Sequence, residues 1–278
     1  MLQDIFPHSF NNQFQADRAI EENDYILYFK DNKLLTKIIG NDYLLPRKKD
    51  LPEITADAEI TFLFTLDDVS CFMLWDELTI AEFCFAYKEI NFFRTLPQPE
   101  TAWICLVGFH LHYWYSEHRY CGKCGTRTKH KADERAVFCP HCNTHFFPKI
   151  SPAIIVAITC GDKILLANNV NFRPGWFSLI AGYVDVGETL RETVRREVME
   201  EVGIDVKNIR YYASQPWPLS GSLMVGFVAE ADDSQPIRID GKEIKEAHWF
   251  HKDNLPNRPT NVSIAGEMID KFERGELM

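Results

Sequence analysis

The sequence predicts an α+β protein: an α/β/α sandwich with a mixed sheet, preceded by a four-cysteine zinc ribbon and a smaller α+β N-terminal domain. Three observations lead to this prediction. Four cysteines are clustered before the middle of the chain, residues 153–158 form a continuous apolar run typical of a fully buried strand, and residues 190–202 form a capped amphipathic helix. We expect domains at residues 1–115, 116–148 and 149–278.

Composition and charge narrow the class of protein. The 278 residues include 30 Lys and Arg against 40 Asp and Glu, and 46% of them are hydrophobic. This composition excludes collagen-like, mucin-like and disordered classes, and a net charge of −10 disfavours binding of nucleic acid over the whole surface. We find no signal-peptide pattern and no apolar run approaching the roughly 18 residues that cross a bilayer. We therefore expect a cytoplasmic protein with no membrane partner.

The first 115 residues carry secondary-structure signals but no functional motif. Short aromatic and β-branched runs predict strands at Tyr25–Phe29 and Ile60–Phe64. We expect a helix over Ile80–Arg94, a break at the two prolines that follow, and a second helix over Thr101–Glu117. This second helix leads into the cysteine cluster.

The cysteine cluster has the spacing of a metal site. Cys121, Cys124, Cys139 and Cys142 read C-x2-C-x14-C-x2-C, which places four sulfurs around a tetrahedral Zn²⁺ at about 2.3 Å. Two disulfides are the alternative, and they are disfavoured in a chain without a signal peptide. A site with four thiolates is closed, so we expect structural zinc. Residues 116–150 carry seven Lys and Arg against three Asp and Glu, a mild basic patch that a solvated loop also explains.

Strand signals dominate after residue 150. The apolar run 153–158, a turn at residues 160–163 and the run 164–167 predict a hairpin. Further strands are expected at Trp176–Ile180, Val225–Glu230 and His248–Phe250, with a terminal amphipathic helix at Ile264–Phe272. Mixed strands with two helices indicate the sandwich.

The helix at 190–202 carries the chemistry. Thr189 and Glu192 form a capping box that starts it, and Gly203 supplies the left-handed stop. Leu190, Val194, Val198 and Val202 share one apolar face, and the glutamates of the last turns lie beside it: Glu197, Glu200 and Glu201. Clustered carboxylates suit Mg²⁺ or Mn²⁺ with substrate phosphates; a solvated acidic face is the alternative from charge pattern alone.

Residues Gly182 to Ile204 fit G-x5-E-x7-R-E-U-x-E-E-x-G-U at every fixed position, where U is aliphatic. This pattern resembles the Nudix box, and the chain is similar to the Nudix hydrolase superfamily. The resemblance implies that Glu197, Glu200 and Glu201 bind the divalent metal, that Glu188 supports them as a further ligand, and that Arg196 orients the carboxylates. It also implies that Gly182 lets the backbone pass close beneath the helix.

A second motif follows the box. Ser214 to Leu223 reads SQPWPLSGSL and resembles the SQPWPFPxS signature of the NADH pyrophosphatase subgroup, with Leu219 and Ser220 in place of Phe and Pro. This departure puts the fine shape of the specificity loop in question more than the reaction. The subgroup also carries a zinc ribbon and an N-terminal domain, as expected here.

The resemblance implies further substrate-binding positions. Tyr183 would stack on a base of the dinucleotide, and Phe147 would reach a base from the partner subunit, which makes the active unit a homodimer. Ala265 would contact substrate through its carbonyl, and Glu243, with Glu246 as the rival, would be a further metal ligand or base. Core packing or strand-edge charge would also explain these residues. The remaining expected contacts are Ala181, Ser214, Gln215, Trp217 and Ser222.

The function implied by the resemblance is metal-dependent hydrolysis of the pyrophosphate of NADH or NAD⁺ to NMN(H) and AMP. NAD-capped RNA is an expected second substrate. Either Glu201 or Glu243 would be the general base. Two alternatives stay open: a Nudix hydrolase of another nucleoside diphosphate such as ADP-ribose or a dinucleoside polyphosphate, and a non-catalytic sensor that binds NAD or nucleic acid.

Overall fold

A computed structural model describes residues 1–80, 83–239 and 241–277. The chain divides into two compact units. The first comprises Leu2–Lys149 and Pro218–Ser220, and the second comprises Met1, Ile150–Trp217 and Gly221–Met278. No helix in the described ranges is both long enough and apolar enough to cross a membrane.

Among its described residues, the first unit contains one long helix, three small sheets and two 3-10 helices, Lys48–Asp50 and Ile90–Thr95. The other elements are β1 (Phe10–Asn11), β2 (Tyr25–Leu27), β3 (Phe29–Lys30), β4 (Lys33–Ile39), β5 (Asp42–Leu44), β6 (Ile60–Leu66), β7 (Val69–Leu74), β8 (Phe85–Glu89), α1 (Pro99–Glu117), β9 (Lys129–His130), β10 (Val137–Phe138) and β11 (His145–Phe146). The sheets have the orders β1-β6-β7-β2, β3-β4-β5 with β8 on β4, and β11-β10-β9.

Two expectations for this unit are confirmed and a third is confirmed in part. The strand at Ile60–Phe64 and the helix at Thr101–Glu117 form, although the helix begins earlier, at Pro99, where a proline is tolerated because the first N–H has no intrahelical partner. The run Tyr25–Phe29 is strand, but it is divided between two sheets at Tyr28.

The helix expected over Ile80–Arg94 does not form. Residues 81 and 82 lie outside the described residues; Phe85–Glu89 is a strand paired antiparallel with β4, and a 3-10 helix follows. The aromatic residues Phe85 and Tyr87 pack against the buried cluster of the N-terminal sheets. Pairing with β4 therefore overrides the helical pattern.

The second unit is built around one mixed sheet. Its elements are β12 (Ser151–Cys160), β13 (Lys163–Asn169), β14 (Ile180–Tyr183), α2 (Leu190–Val202), β15 (Lys207–Trp217), β16 (Ser222–Glu230), β17 (Ile244–His251) and α3 (Ile264–Glu273). The strand order is β15-β16-β12-β13-β17, with β14 also paired to β12. Strands β12 and β16 are parallel, and the other pairs are antiparallel.

The central strand β12 explains why the apolar run is continuous. Ile154, Val156 and Ile158 point to the cluster that contains the apolar face of α2, whereas Ile155 and Ala157 point to the cluster that contains α3. Alternate side chains of a strand face opposite sides of the sheet. Because a helix covers each side, both sets must be apolar, and the α/β/α sandwich is confirmed.

The segment predicted as a strand at Trp176–Ile180 is only partly extended. Trp176 and Ser178 make isolated bridges to Asn257 and Ala167, and the regular strand begins at Ile180 and runs to Tyr183. Strand β14 pairs with β12 in the register Ile154 to Gly182. This register carries Gly182 beneath α2, where the site lies.

Candidate active site

The helix α2 has the boundaries and caps that its sequence predicts. The Thr189 hydroxyl accepts from the Glu192 N–H at 3.4 Å, and the Glu192 carboxylate accepts from the Thr189 N–H at 2.8 Å. Gly203 ends the helix with φ 68°, and its N–H reaches the carbonyls of Val198 and Met199. The apolar face is buried, which leaves the acidic side chains at its border.

Arg196 links the acidic residues of this helix to the loop before it. Its Nε and Nη2 donate to the two Glu188 oxygens at 2.6 and 2.9 Å, and Nη1 donates to Glu197 at 2.8 Å and to Glu200 at 3.0 Å. Nη2 also donates to the Tyr183 carbonyl at 2.9 Å. The guanidinium therefore fixes three carboxylates and the end of β14 in one arrangement.

The charges in this cluster affect one another. The Arg196 guanidinium, with help from the Asp185 backbone, lowers the pKa of Glu188 to about 2, and the same carboxylate raises the pKa of Arg196. The buried Thr193 hydroxyl also donates to Glu188 at 2.9 Å. Burial raises the pKa of Glu197, while Arg196 opposes that shift. Glu188 is thus more firmly ionised than Glu197.

The Glu197 carboxyl group lies directly against the backbone of β14. A Cβ atom placed on Gly182 would overlap this carboxyl group. Only glycine lets the strand and the carboxylate approach so closely. The sequence pattern that starts with this glycine therefore has a steric cause.

The remaining acidic residues differ in exposure. Glu201 is 7% exposed at the border of the core, whereas Glu200 and Glu243 are exposed. Glu243 is near enough to Glu197 for their charges to repel, and Glu246 lies 3.4 Å from His248. In the part of the chain that the structure describes, no three of these carboxylates lie within one ion's reach of one another.

The donor set nevertheless fits a hard divalent cation. All the donors are carboxylate oxygens, the kind that Mg²⁺ and Mn²⁺ prefer. Glu197 and Glu200 already converge on one cation, the Arg196 Nη1 atom. These two residues, together with Glu188, Glu201 and Glu243, are the groups that would hold such an ion.

The four cysteines of the first unit form a second metal site. Their Sγ atoms lie within 4.8 Å of one another, and the separations of three pairs are 3.4, 3.5 and 3.8 Å. A tetrahedral Zn²⁺ with bonds of about 2.3 Å needs sulfurs about 3.8 Å apart. The arrangement therefore fits structural zinc.

The two cysteine pairs sit in turns of the same geometry. The N–H of Gly125 donates to the Cys121 carbonyl at 2.8 Å, and the N–H of Asn143 donates to the Cys139 carbonyl at 2.9 Å. Gly125 and Asn143 both have positive φ, 72° and 54°. Glycine and asparagine are the residues that accept this conformation.

A threonine completes each turn. The hydroxyls of Thr126 and Thr144 lie 3.4 and 3.1 Å from the sulfurs of Cys124 and Cys142, and they lower the pKa of these thiols. A lower pKa favours the thiolate that binds zinc. Sequence reasoning missed these threonines, although the repeat C-x2-C-x-T marks both of them.

Comparison with known families covers the chain in three consecutive stretches. A NUDIX domain model matches residues 149–272, an NADH pyrophosphatase zinc ribbon domain matches residues 116–147, and an NADH pyrophosphatase-like rudimentary NUDIX domain matches residues 23–114. The chain belongs to the Nudix hydrolase superfamily. Its ribbon and N-terminal domain are those of the NADH pyrophosphatase subgroup, as the signature after the Nudix box predicts.

Curated relatives are similar to this chain over part of its length. The chain is 48% identical over 163 residues to an NAD-capped RNA hydrolase NudC of Salmonella paratyphi C, and 46% identical over 159 residues to that of Stutzerimonas stutzeri. These alignments cover 59% and 57% of this chain, and 63% and 57% of the relatives. The chain thus matches less than two thirds of the relatives' length.

A solved NUDIX hydrolase from Nitrosomonas europaea is also similar. It is 22% identical, covers 57% of this chain and 94% of its own, and superposes with a TM-score of 0.48.

Tyr183 directly follows the Nudix box glycine, Gly182, at the end of β14. The Tyr183 ring is 54% exposed, and its hydroxyl lies 3.2 Å from the buried Ser222 hydroxyl. Ala181 is half-buried on the same strand. An exposed aromatic ring held at its hydroxyl is a suitable surface for a flat base.

The signature residues lie on β15, opposite β16. Ser214, Gln215 and Trp217 pair with Val225, Met224 and Ser222. Ser214 and Trp217 are half-buried, whereas Gln215 is fully buried. Trp217 lies at the end of β15 and Ser222 at the start of its neighbour β16. Tyr183 lies at the end of β14, and both β14 and β16 pair with β12.

Gln215 has a structural partner. Its Nε2 donates to the Val262 carbonyl at 3.0 Å, and its Oε1 accepts from the Ile264 N–H at 2.7 Å. The Gln215 amide thus links β15 to the start of α3. Ala265, one residue further, is 6% exposed and packs in the α3 cluster.

Phe147 belongs to the first unit and directly follows β11. Its side chain is 54% exposed. An exposed phenylalanine at the end of a zinc ribbon has area available for a ligand or a second chain.

Proposed function

We propose that this chain hydrolyses the pyrophosphate bond of NADH and NAD⁺ to NMN(H) and AMP, with Mg²⁺ or Mn²⁺, and removes NAD caps from RNA 5′ ends. The observation that carries the proposal is the carboxylate cluster of α2, organised by Arg196 and packed against Gly182. The NAD-capped RNA hydrolase name of the relatives supports the substrate class.

The glutamates and Arg196 have different roles in the proposed reaction. Glu197, Glu200 and Glu201, with Glu188 and Glu243, would hold the divalent cation, which when bound supplies charge neutralisation at the diphosphate and acidity for water. Arg196 orients Glu188, Glu197 and Glu200 and keeps Glu188 ionised at neutral pH. Glu188 therefore stays anionic, and Arg196 keeps the three carboxylates aligned before substrate arrives.

The general base is Glu201 or Glu243. Glu201 is nearly buried at the border of the core, where bulk water is largely excluded from its carboxylate. Glu243 is exposed and close to Glu197. We favour Glu201 because its position on α2 is fixed by the helix.

We propose that the dinucleotide is held through its bases. Tyr183 offers an exposed ring at the end of β14, and Phe147 offers a second ring, supplied by the partner subunit of a homodimer. Ser214, Trp217, Ser222, Ala181 and the Ala265 carbonyl would line the rest of the site, and Gln215 would position the segment before α3.

We also propose the division into domains 1–115, 116–148 and 149–278, and a cytoplasmic location. The ribbon thiols must stay reduced to bind zinc, and a reducing compartment keeps them so.

The test is product formation. Purified protein is incubated with NADH and Mg²⁺ or Mn²⁺, and AMP is measured by chromatography, with NAD⁺ and ADP-ribose in parallel. With NAD-capped RNA the released NMN is measured instead, because the AMP moiety stays in the RNA as its 5′-monophosphate end. We expect AMP from the wild type and none from Glu201→Gln. The matched control is Glu192→Gln on the same helix, which keeps an acceptor for the Thr189 N–H and should retain activity. Full turnover by Glu201→Gln would contradict the assigned site.

A second candidate is a Nudix hydrolase of another nucleoside diphosphate. Leu219 and Ser220 depart from the subgroup signature, and the loss of an aromatic face there favours it. ADP-ribose turned over faster than NADH and NAD-capped RNA would support this candidate. Binding of NAD without any turnover would indicate a sensor.

A further inference from the structure

A cavity in the first unit lies between the N-terminal sheet, the end of α1 and the zinc ribbon. Its volume is about 400 Å³, within the range of roughly 300–1,000 Å³ that small-molecule sites occupy. The residues that line it are Glu59, Trp75, Tyr115, His118, Arg119, Arg127, Thr128, Lys129, His130 and Val137. None of them belongs to the Nudix box or binds zinc.

One wall of the cavity is aromatic and held in place. The Trp75 indole N–H donates to the Thr61 hydroxyl at 2.9 Å, and the Tyr115 ring packs edge-on against Trp75 at 6.0 Å. His112 stacks on the Trp75 ring at 5.7 Å, and His130 packs against Tyr115 at 5.1 Å. Fixed aromatic groups of this kind bind flat bases with little loss of entropy.

The facing side is cationic. Arg127 pairs with Glu59 at 3.1 Å, whereas Arg119 and Lys129 have no ion-pair partner among the described residues. The Arg119 guanidinium lies 5.8 Å from the centre of the Trp75 ring. Two cations without an ion-pair partner beside an aromatic wall favour an anionic ligand.

We propose that this cavity binds one nucleotide unit, with its base on the partly exposed Trp75 ring, which the buried Tyr115 supports from below, and its phosphate on Arg119 and Lys129. An aromatic ring and an anion on one ligand match both sides of the cavity, whereas inorganic phosphate or an acidic peptide matches only the cations. The nucleotide is either free or part of a single-stranded RNA. This proposal does not depend on the hydrolysis proposed above, because binding is measured without turnover.

The probe is a ten-nucleotide RNA with a 5′-hydroxyl and a 3′-fluorescein, which has no pyrophosphate bond to cleave. Fluorescence anisotropy measures its Kd for the full-length protein at several salt concentrations. We expect Arg119→Glu/Lys129→Glu to raise the Kd at least tenfold. Loss of the one phosphate that both cations neutralise should reduce the slope of log K against log salt by about 0.7.

The matched control reverses two exposed lysines away from the cavity, Lys30 and Lys207, and so makes the same change in net charge. Lys30→Glu/Lys207→Glu should change the Kd less than twofold. Equal weakening by both double variants would overturn the site, because a diffuse field would then explain binding. No RNA binding by the wild type, with no AMP binding, would overturn it as well.

Two further arms identify the ligand. AMP that displaces the RNA shows that a free nucleotide suffices, whereas RNA that resists AMP shows that the chain is required; either result supports the site. Decaglutamate that competes as well as RNA would overturn it. Trp75→Leu, with zinc content measured to verify the ribbon, should weaken RNA at least fivefold if a base stacks there.

Discussion

Because Gly182 has no side chain, β14 can lie directly against the Glu197 carboxyl group. Gly182→Ala places a methyl group where the carboxyl carbon now lies, so either the strand or Glu197 must move. Displacement of a catalytic group by about 1 Å costs on the order of 100-fold in rate. We expect kcat/KM for NADH to fall at least this much in a folded protein, as measured by AMP formation and circular dichroism.

The matched control for this substitution is Gly122→Ala. Gly122 has open space around its Cβ position and no positive φ. Zinc content and AMP formation should both be retained. Wild-type activity in Gly182→Ala would show that Glu197 does not need its present position.

His112 makes stability depend on pH. It stacks on Phe29 at 4.6 Å and on Trp75, and burial lowers its pKa from 6.5 to about 4. Because the folded state favours the neutral ring, this stability is fully present above pH 6.5 and is lost as pH falls towards 4. Between pH 7 and 5 the expected loss is about 2 kcal/mol.

The measurement compares the free energy of unfolding of the wild type and His112→Phe at both pH values. Phenylalanine keeps the stacking and removes the titration. Acid effects on the zinc thiolates are common to both proteins, so they cancel in the difference. Equal losses in the two proteins would contradict the role of His112.

Sequence reasoning located the acidic residues but could not divide their roles. The resemblance implies that Arg196 orients the carboxylates, and the structure adds that one guanidinium contacts Glu188, Glu197 and Glu200 at the same time. Gln215 is a clearer case, because a polar residue in a signature suggests substrate contact, and its amide instead bonds to the backbone around Val262 and Ile264. Hydrogen bonds between residues that are distant in sequence produce no periodic pattern from which they could be predicted.

At the scale of elements, α2 depends on its N-terminal cap. Thr189→Ala removes the acceptor for the Glu192 N–H, and loss of such a cap costs about 1 kcal/mol. Hydrogen exchange of the first-turn amides of α2 should accelerate about fivefold. Thr189→Ser keeps the hydroxyl and should exchange like the wild type. Unchanged exchange in Thr189→Ala would show that packing alone holds the helix end.

The elements that were predicted well have strong local signals. The boundaries of α2 follow from its capping box and Gly203, and β12 follows from an apolar run that the helices cover on both faces. The error at Ile80–Arg94 has a different origin. Phe85–Glu89 is strand because β4 lies beside it, and this pairing spans about fifty residues of sequence.

At the scale of the whole molecule, we expect two subunits to form each site together. Phe147 is exposed by 54%, and the family resemblance assigns it to the partner's site. We expect the protein to sediment at twice the 32.3 kDa mass of the chain. Phe147→Ala should raise KM for NADH about tenfold, within the range for loss of one base stack. Phe83→Ala, which removes another exposed ring, should not.

Subunit mixing tests whether Phe147 acts across the dimer. In a heterodimer of Phe147→Ala and Glu201→Gln, one site combines an intact Glu201 with the intact Phe147 of the other chain. Random mixing makes half of the dimers mixed, each with one complete site, so about a quarter of wild-type activity should return at low NADH. If Phe147 served its own subunit, neither chain would supply a complete site. The mixture would then show only the mean of the two separate variants, and an active monomer would exclude the dimeric site altogether.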